Sequence, residues 1–168
     1  MLNFAVQIEP ASENPSPVDY RWDPDTDILT ANLRNGAQGE GMSGSVELTG
    51  EDGSWVVLDV KSGTIRGVEV AVWPDVRKVP TLSLPSMVEN ARITVPARNA
   101  DRGVSLVQVN TTLIADADHA ERTIHFRLGA SRASRTVRIA SDILVDVDDK
   151  SRVLGLWLLN VPPFPAVE

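Results

Sequence analysis

The sequence predicts a mainly β protein: two tandem antiparallel β-meander repeats packed as one sandwich or barrel-like unit, with at most one or two short helices. Three observations predict it. Near the C-terminus an apolar run at 143–147, the cluster Asp148-Asp149-Lys150-Ser151 and a second apolar run at 153–161 read as a β-hairpin that stops at Pro162-Pro163. Short polar side chains favour such a turn because they bond nearby backbone groups. The same device occurs earlier, across residues 56–74, turning at Lys61-Ser62-Gly63.

The third observation is order. D-P-D-T-D-I-L-T-A-N-L-R-N-G-A from Asp23 lies over D-A-D-H-A-E-R-T-I-H-F-R-L-G-A from Asp116 without gaps, at an offset of 93. Asp23/Asp116, Asp25/Asp118, Thr30/Thr123, Arg34/Arg127, Gly36/Gly129 and Ala37/Ala130 are identical there, and Gly67 matches Gly155 at an offset of 88. A repeat of about 90 residues is too long for a solenoid period. It fits two related meanders about a pseudo-two-fold axis, neither large enough alone to cover both faces of its sheet. The expected halves are 1–79 and 92–168, joined by a linker at 80–91.

Taken in order, residues 3–8 read as a first strand, and 9–17 as a loop broken by Pro10, Pro15 and Pro17. Residues 18–22 alternate Val, Tyr and Trp with polar partners, the pattern of a half-buried strand. Asp23-Pro24-Asp25-Thr26-Asp27 is a turn, and 28–33 the returning strand. Four glycines make 35–45 a loop. A short strand is expected at 46–48 and a turn at Gly50-Glu51-Asp52-Gly53, before the hairpin of 55–60 and 65–73. Pro80 and Pro85 mark 75–85 as a connection, and 86–91 is expected to form a short helix capped by Ser86. In the second half, strands are expected at 92–95, 104–115, 123–128 and 136–140, with loops at 96–103 and 129–134 and a turn at 116–119. The hairpin 143–161 closes the chain. In 154–159 the apolar residues do not alternate with polar ones, so both faces of that strand are expected to be covered. The corresponding run Val68-Glu69-Val70-Ala71-Val72-Trp73 carries Glu69, set against Leu156 in the second copy, so that face is expected to be wet in the first half.

Composition sets the class. A chain of 168 residues with 42% hydrophobic content is long and apolar enough for a real core. The absence of cysteine removes disulfides, thiolate metal sites and cysteine nucleophiles. No apolar run reaches membrane-span length, and the start M-L-N-F-A-V-Q-I-E-P lacks the features of a secretory signal, so a cytoplasmic protein without a membrane partner is expected. The net charge of −7 argues against nucleic acid as a partner. The charge is unevenly spread: residues 92–138 hold eight arginines, no lysine and four acids. Arg92, Arg98, Arg102, Arg122, Arg127, Arg132, Arg135 and Arg138 are expected to pair with the acidic first half or to sit in solvent. An anionic partner surface is the alternative.

The run Y-x-W-D-P-D-T-D-I-L-T-A-N-L followed by V-V-L-D-V-K-S-G-T-I-R-G-V-E-V resembles the small YuzE-like bacterial domains of unknown function. The first copy supplies Tyr20, Asp23, Asp27, Asp59, Gly67 and Glu69. The second supplies Asp116, Asp146, Asp148 and Gly155, with Leu156 and Trp157 where the family's Glu would stand and no aromatic before Asp116. The resemblance spans residues 18–74 and, more weakly, 105–161. It implies no activity, and at most an antitoxin-like role as a protein partner.

Candidate chemistry is sparse. Asp23, Asp25 and Asp27 have the spacing of a calcium loop, but Ile28 and Arg34 stand where such a loop needs Gly and Glu. Asp146, Asp148 and Asp149 fall in or beside a turn, where carboxylates stabilise the turn; chelation of a hard cation through oxygen is the alternative. His119 is expected in a turn and His125 exposed on a strand, with Ile124 and Phe126 on the other face. No nucleophile-elbow or phosphate-loop motif is present. Trp22, Trp55, Trp73 and Trp157 lie in or beside strands, where packing is their ordinary role. Gly67 and Gly155 are expected to mark a bulge or a close backbone approach.

These observations favour a non-enzymatic interaction module of a bacterial cytoplasm, self-associating or partner-binding, with no cofactor. Leu154, Leu156, Trp157, Leu158 and Phe164 are the expected interface, and Val161-Pro162-Pro163-Phe164-Pro165 either docks on a neighbour or plugs the fold. A small-ligand or carbohydrate-binding β domain using surface tryptophans is the second reading. A metal-dependent hydrolase using the repeated aspartates is the third.

Overall fold

Apolar side chains at every second position build strands with one face turned to a shared core. The computed structural model describes residues 4–11, 13–34, 40–97, 105–129, 133 and 135–165, and these hold fourteen strands and no helix. In chain order they are β1 (Gln7–Pro10), β2 (Val18–Trp22), β3 (Leu29–Leu33), β4 (Gly44–Gly50), β5 (Trp55–Lys61), β6 (Thr64–Val72), β7 (Val76–Lys78), β8 (Glu89–Thr94), β9 (Ser105–Thr111), β10 (Leu113–Ala117), β11 (Ile124–Leu128), β12 (Arg135–Ala140), β13 (Ile143–Val147) and β14 (Val153–Leu158).

They form two open sheets. The first has the order β2-β3-β6-β5-β4-β9, the second β1-β8-β12-β13-β14-β11-β10-β7. Most pairs are antiparallel; β4–β9, β8–β12 and β7–β10 are parallel, so both sheets are mixed. One apolar cluster lies between them. Leu29, Val46, Leu48, Val56, Leu58, Val68 and Val70 come from the first sheet, and Ala115, Ile124, Phe126, Val137, Ile143, Val145, Leu156 and Leu158 from the second. Burying each Val, Leu, Ile or Phe contributes about 1.5–3 kcal/mol. The mainly β expectation holds as a sandwich. Neither sheet closes into a barrel.

A run of five strands has the same order in both sheets: β2-β3-β6-β5-β4 in one, β10-β11-β14-β13-β12 in the other. Within it Asp59 faces Gly67 across the first hairpin, and Asp146 faces Gly155 across the second. The register corrects the offset of 93. Trp22 pairs with Leu29 as Ala117 pairs with Ile124, and Asp23 N–H donates to Ile28 O (2.9 Å) as Asp118 N–H donates to Thr123 O (3.1 Å). Asp118, not Asp116, therefore stands where Asp23 does. A slip of two leaves every side chain on its expected face, because the strand period is two. Likewise Trp157 rather than Leu156 holds the position of Glu69: Glu69 pairs with Thr30 and Val57, Trp157 with His125 and Leu144.

Several element boundaries move. Residues 4–6 run beside 151–153, through the Ala5–Arg152 bridge, before β1 begins. The stretch expected as one strand over 104–115 divides at Thr112 into β9 and β10, which join different sheets. The expected helix at 86–91 does not form; β8 uses its backbone groups to pair with β1 and β12 instead. The connection contains β7, which pairs with β10. Strands β1 and β7 precede residue 80 yet join the second sheet, and β9 follows it yet joins the first. Residues 35–39 and most of the 129–134 loop lie outside the described residues, as do Arg98, Arg102 and Arg132.

Candidate functional site

The outer face of the second sheet is covered. After β7 the chain crosses it, held by Val79 N–H to Ala117 O (2.8 Å), and Leu82 and Val88 pack on Leu144, Trp157 and Leu159. Beneath this cover β13 and β14 bury both faces, as the unbroken apolar run at 154–159 predicts for β14.

Polar groups meet at Asp146 under the cover. The buried Asp146 carboxylate accepts from the Thr136 hydroxyl (2.6 Å), from Trp157 Nε1 (3.1 and 3.2 Å) and from His125 Nε2 (2.7 Å). A carboxylate acceptor fixes the His125 tautomer with its proton on Nε2. The His125 ring stacks on Trp157, centroids 3.8 Å apart and planes 11° from parallel. His125 is thus on the expected face but not exposed: its side chain is 14% accessible. Gly155 makes the arrangement possible. A Cβ there would stand 2.6 Å from Asp146 Oδ2, 3.0 Å from Phe126 O and 3.2 Å from His125 Nε2. The close approach expected at this glycine is therefore to a carboxylate and an imidazole. Next to it, Asp116 lies between Arg77 Nε (3.0 Å) and an Arg127 terminal nitrogen (3.1 Å). The Thr136, Trp157, His125 and Arg77 donors and one Arg127 terminal nitrogen all meet carboxylates, a polar core between β10, β11, β13 and β14, whereas the buried Arg127 Nε has no partner. The sequence signalled that β14 was covered on both sides, but not that β13 was, that Leu82 and Val88 supplied the cover or that Thr136 and His125 met Asp146.

The expected interface residues mostly turn inward. Leu156 and Leu158 fill the core between the sheets, and Trp157 is 4% exposed under the 79–88 crossing. Leu154 is half-buried, and Phe164 is 41% exposed. Residues 161–165 plug their own fold. Val161 is fully buried with its N–H on Arg122 O (2.9 Å), and Pro162 O accepts from Trp22 Nε1 (2.8 Å). Tyr20 donates its hydroxyl to Leu159 O (2.8 Å). Burial, with Asp142 nearby, pushes the Tyr20 phenol well above its ordinary value, against the opposing effect of the Leu159 hydrogen bond. Trp22 stacks on Trp73 (5.6 Å), and Trp55 is partly exposed.

The aspartate turns are bonded to themselves. Asp23 Oδ1 accepts from Asp25 N–H (3.0 Å), Asp118 Oδ1 from Arg122 and Thr123 N–H (2.8 and 3.1 Å), and Asp148 Oδ1 from Lys150 and Arg152 N–H (both 2.9 Å). The Asp25 N–H and then the Thr26 hydroxyl hold the Asp23 carboxyl below the usual range. Among the described residues no three His, Asp or Glu side chains are grouped to hold a metal ion. Of the described arginines, Arg135 pairs with Glu89 of the acidic first part, whereas Arg127 pairs within its own half.

The sheet edges differ in protection. β1 has four residues, with Glu9 and Pro10. β7 has three, with Arg77 and Lys78. β2 carries Asp19 and Arg21 and follows Pro17. Short length, charge and proline are the ordinary guards of an edge. β9 has none of them: Ser-Leu-Val-Gln-Val-Asn-Thr is seven residues long, uncharged and regular, and it pairs with β4 along its full length. Among the described residues its other edge has no strand neighbour, and Leu106 on it is 59% exposed.

No protein-family model matches this chain, and no curated protein sequence matches it. Among the described residues no helix is long and apolar enough to cross a membrane.

Proposed function

We propose that the chain is a non-enzymatic interaction module that self-associates by pairing β9 antiparallel with β9 of a second copy. The β9 edge carries this reading. It alone among the four described edges combines length, neutrality and a regular hydrogen-bonding row. Two copies of a chain with net charge −7 repel. A neutral strand brings no like charges together at the point of contact. Antiparallel pairing about a two-fold axis is isologous and closes at the dimer, joining two six-stranded sheets through their main chains. We read the two five-strand runs as copies of one unit, supported by their common order and by the matching Asp59/Gly67 and Asp146/Gly155 registers. The resemblance to YuzE-like domains includes those four positions among the residues that carry it.

Light scattering coupled to size exclusion tests the reading. The parent chain is expected to elute as a dimer. Gln108→Lys, an exposed change that sets a charge at mid-edge, is expected to yield a folded monomer. A parent chain that stays monomeric at its highest soluble concentration contradicts the proposal.

A further inference from the structure

At the opposite edge of the same sheet, Tyr20, Trp22 and Trp73 form a second site. We propose that they are a recognition groove for a proline-rich extended segment of a partner protein, a groove that the chain's own residues 161–165 occupy in its absence.

The chemistry of the occupant and of the groove match. Three prolines in Val161-Pro162-Pro163-Phe164-Pro165 remove three backbone N–H groups and favour the extended polyproline form. Such a segment offers carbonyls and apolar rings, so its receptor must supply donors and aromatic walls. Trp22 does both. Its Nε1 donates to Pro162 O (2.8 Å), and its ring meets Phe164 edge-on, centroids 5.2 Å apart at 81°. The donor is held in place from behind. Trp73 stacks on Trp22 at 5.6 Å, is fixed by its own Nε1 to Asp27 O (2.7 Å), and rests on buried Phe126. Tyr20 sets the neighbouring carbonyl of Leu159.

Among the described residues the occupant is held most firmly at Val161. Val161 is fully buried, whereas Pro163, Phe164 and Pro165 are exposed, Phe164 by 41%. The segment therefore lifts from the groove from Pro162 onward, giving up the Pro162 O bond to Trp22 Nε1 while buried Val161 keeps its place in the core. A partner segment carrying Pro-Pro-aromatic-Pro competes for the same indole N–H and the same ring. This site is independent of β9, from which four strands separate β2 in the sheet order.

The probe is a fluorescein-labelled peptide, Gly-Pro-Pro-Phe-Pro-Gly, read by anisotropy against three full-length chains. In the first, the parent, the tail competes and binding is weak. In the second, Pro163→Gly with Phe164→Gly, the tail is loosened, and binding is expected to tighten at least tenfold. In the third, Trp22→Phe is added; the ring stays, the donor goes, and affinity is expected to fall back to the parent's level. Far-ultraviolet circular dichroism verifies that each chain is folded. If the Trp22→Phe chain does not fold, a peptide with Ala for Phe replaces it and is expected to lose binding to the loosened chain. A folded, loosened chain that binds the peptide no better than the parent overturns the proposal. So does one whose binding ignores Trp22→Phe or the Ala peptide.

Discussion

The hairpins β5–β6 and β13–β14 share a register and differ in what covers them. In both, an aspartate faces a glycine across the ladder: Asp59 and Gly67 in one, Asp146 and Gly155 in the other. Around the first, Asp59 is exposed and Glu69 half-buried, and the Cβ missing from Gly67 would meet nothing closer than 3.5 Å. Around the second, residues 79–88 cross the sheet, Trp157 replaces Glu69, and the Cβ missing from Gly155 would collide with a carboxylate at 2.6 Å. The backbone pattern is the same in both. Cover by a passing segment turns a wet aspartate into the centre of a buried network, where each lost partner is costly.

The comparison breaks most visibly at the aspartates. Asp146→Ala leaves the Thr136 hydroxyl, the Trp157 indole and the His125 imidazole without their acceptor, and chemical denaturation is expected to show a loss of about 3–5 kcal/mol. The next effect is at the glycines. Gly155→Ala forces the carboxylate or the imidazole aside and is expected to destabilise by about 1–3 kcal/mol.

Alkaline titration examines the end of the second hairpin, where Tyr20 reaches Leu159 O. The folded phenol titrates above the unfolded one, chiefly through burial, so above about pH 10 the unfolded chain releases a proton that the folded chain keeps. Stability is then full below that pH and declines as pH rises further. Tyr20 is the sole tyrosine, so absorbance at the tyrosinate band reports it alone, and the transition is expected to lie above that of the chain in urea. The smallest effects belong to the wet hairpin. Asp59→Ala is expected to change stability by less than about 0.5 kcal/mol. Gly67→Ala is expected to be neutral or to stabilise by up to about 1 kcal/mol, since it removes unfolded-state freedom without a clash.

Much of the fold was legible because strand periodicity and turn chemistry are local. Asp23 and Asp148 announced their turns, and the unbroken apolar run of 154–159 announced cover on both faces of β14. Pairing between distant segments was not legible. Nothing in Val76-Arg77-Lys78 indicates that it lies parallel to β10, and nothing in 104–115 except Thr112 marks a change of sheet. The expected interface at Leu156 and Leu158 failed to reach the surface for the same reason. An apolar strand reports that it is buried, and not whether its own chain or another buries it. Trp22 and Trp73 were legible as packing residues, but the hold of Trp22 on Pro162 spans 140 residues and left no local trace.

The most direct test of the difference between the hairpins is a double-mutant cycle of Gly155→Ala with Asp146→Ala, read by chemical denaturation. The Cβ added at 155 meets first the Oδ2 that the second change removes, so the double variant is expected to be more stable than the sum of the single losses by about 1 kcal/mol or more. Strict additivity would mean that Gly155 and Asp146 do not share a buried site, and would contradict the account.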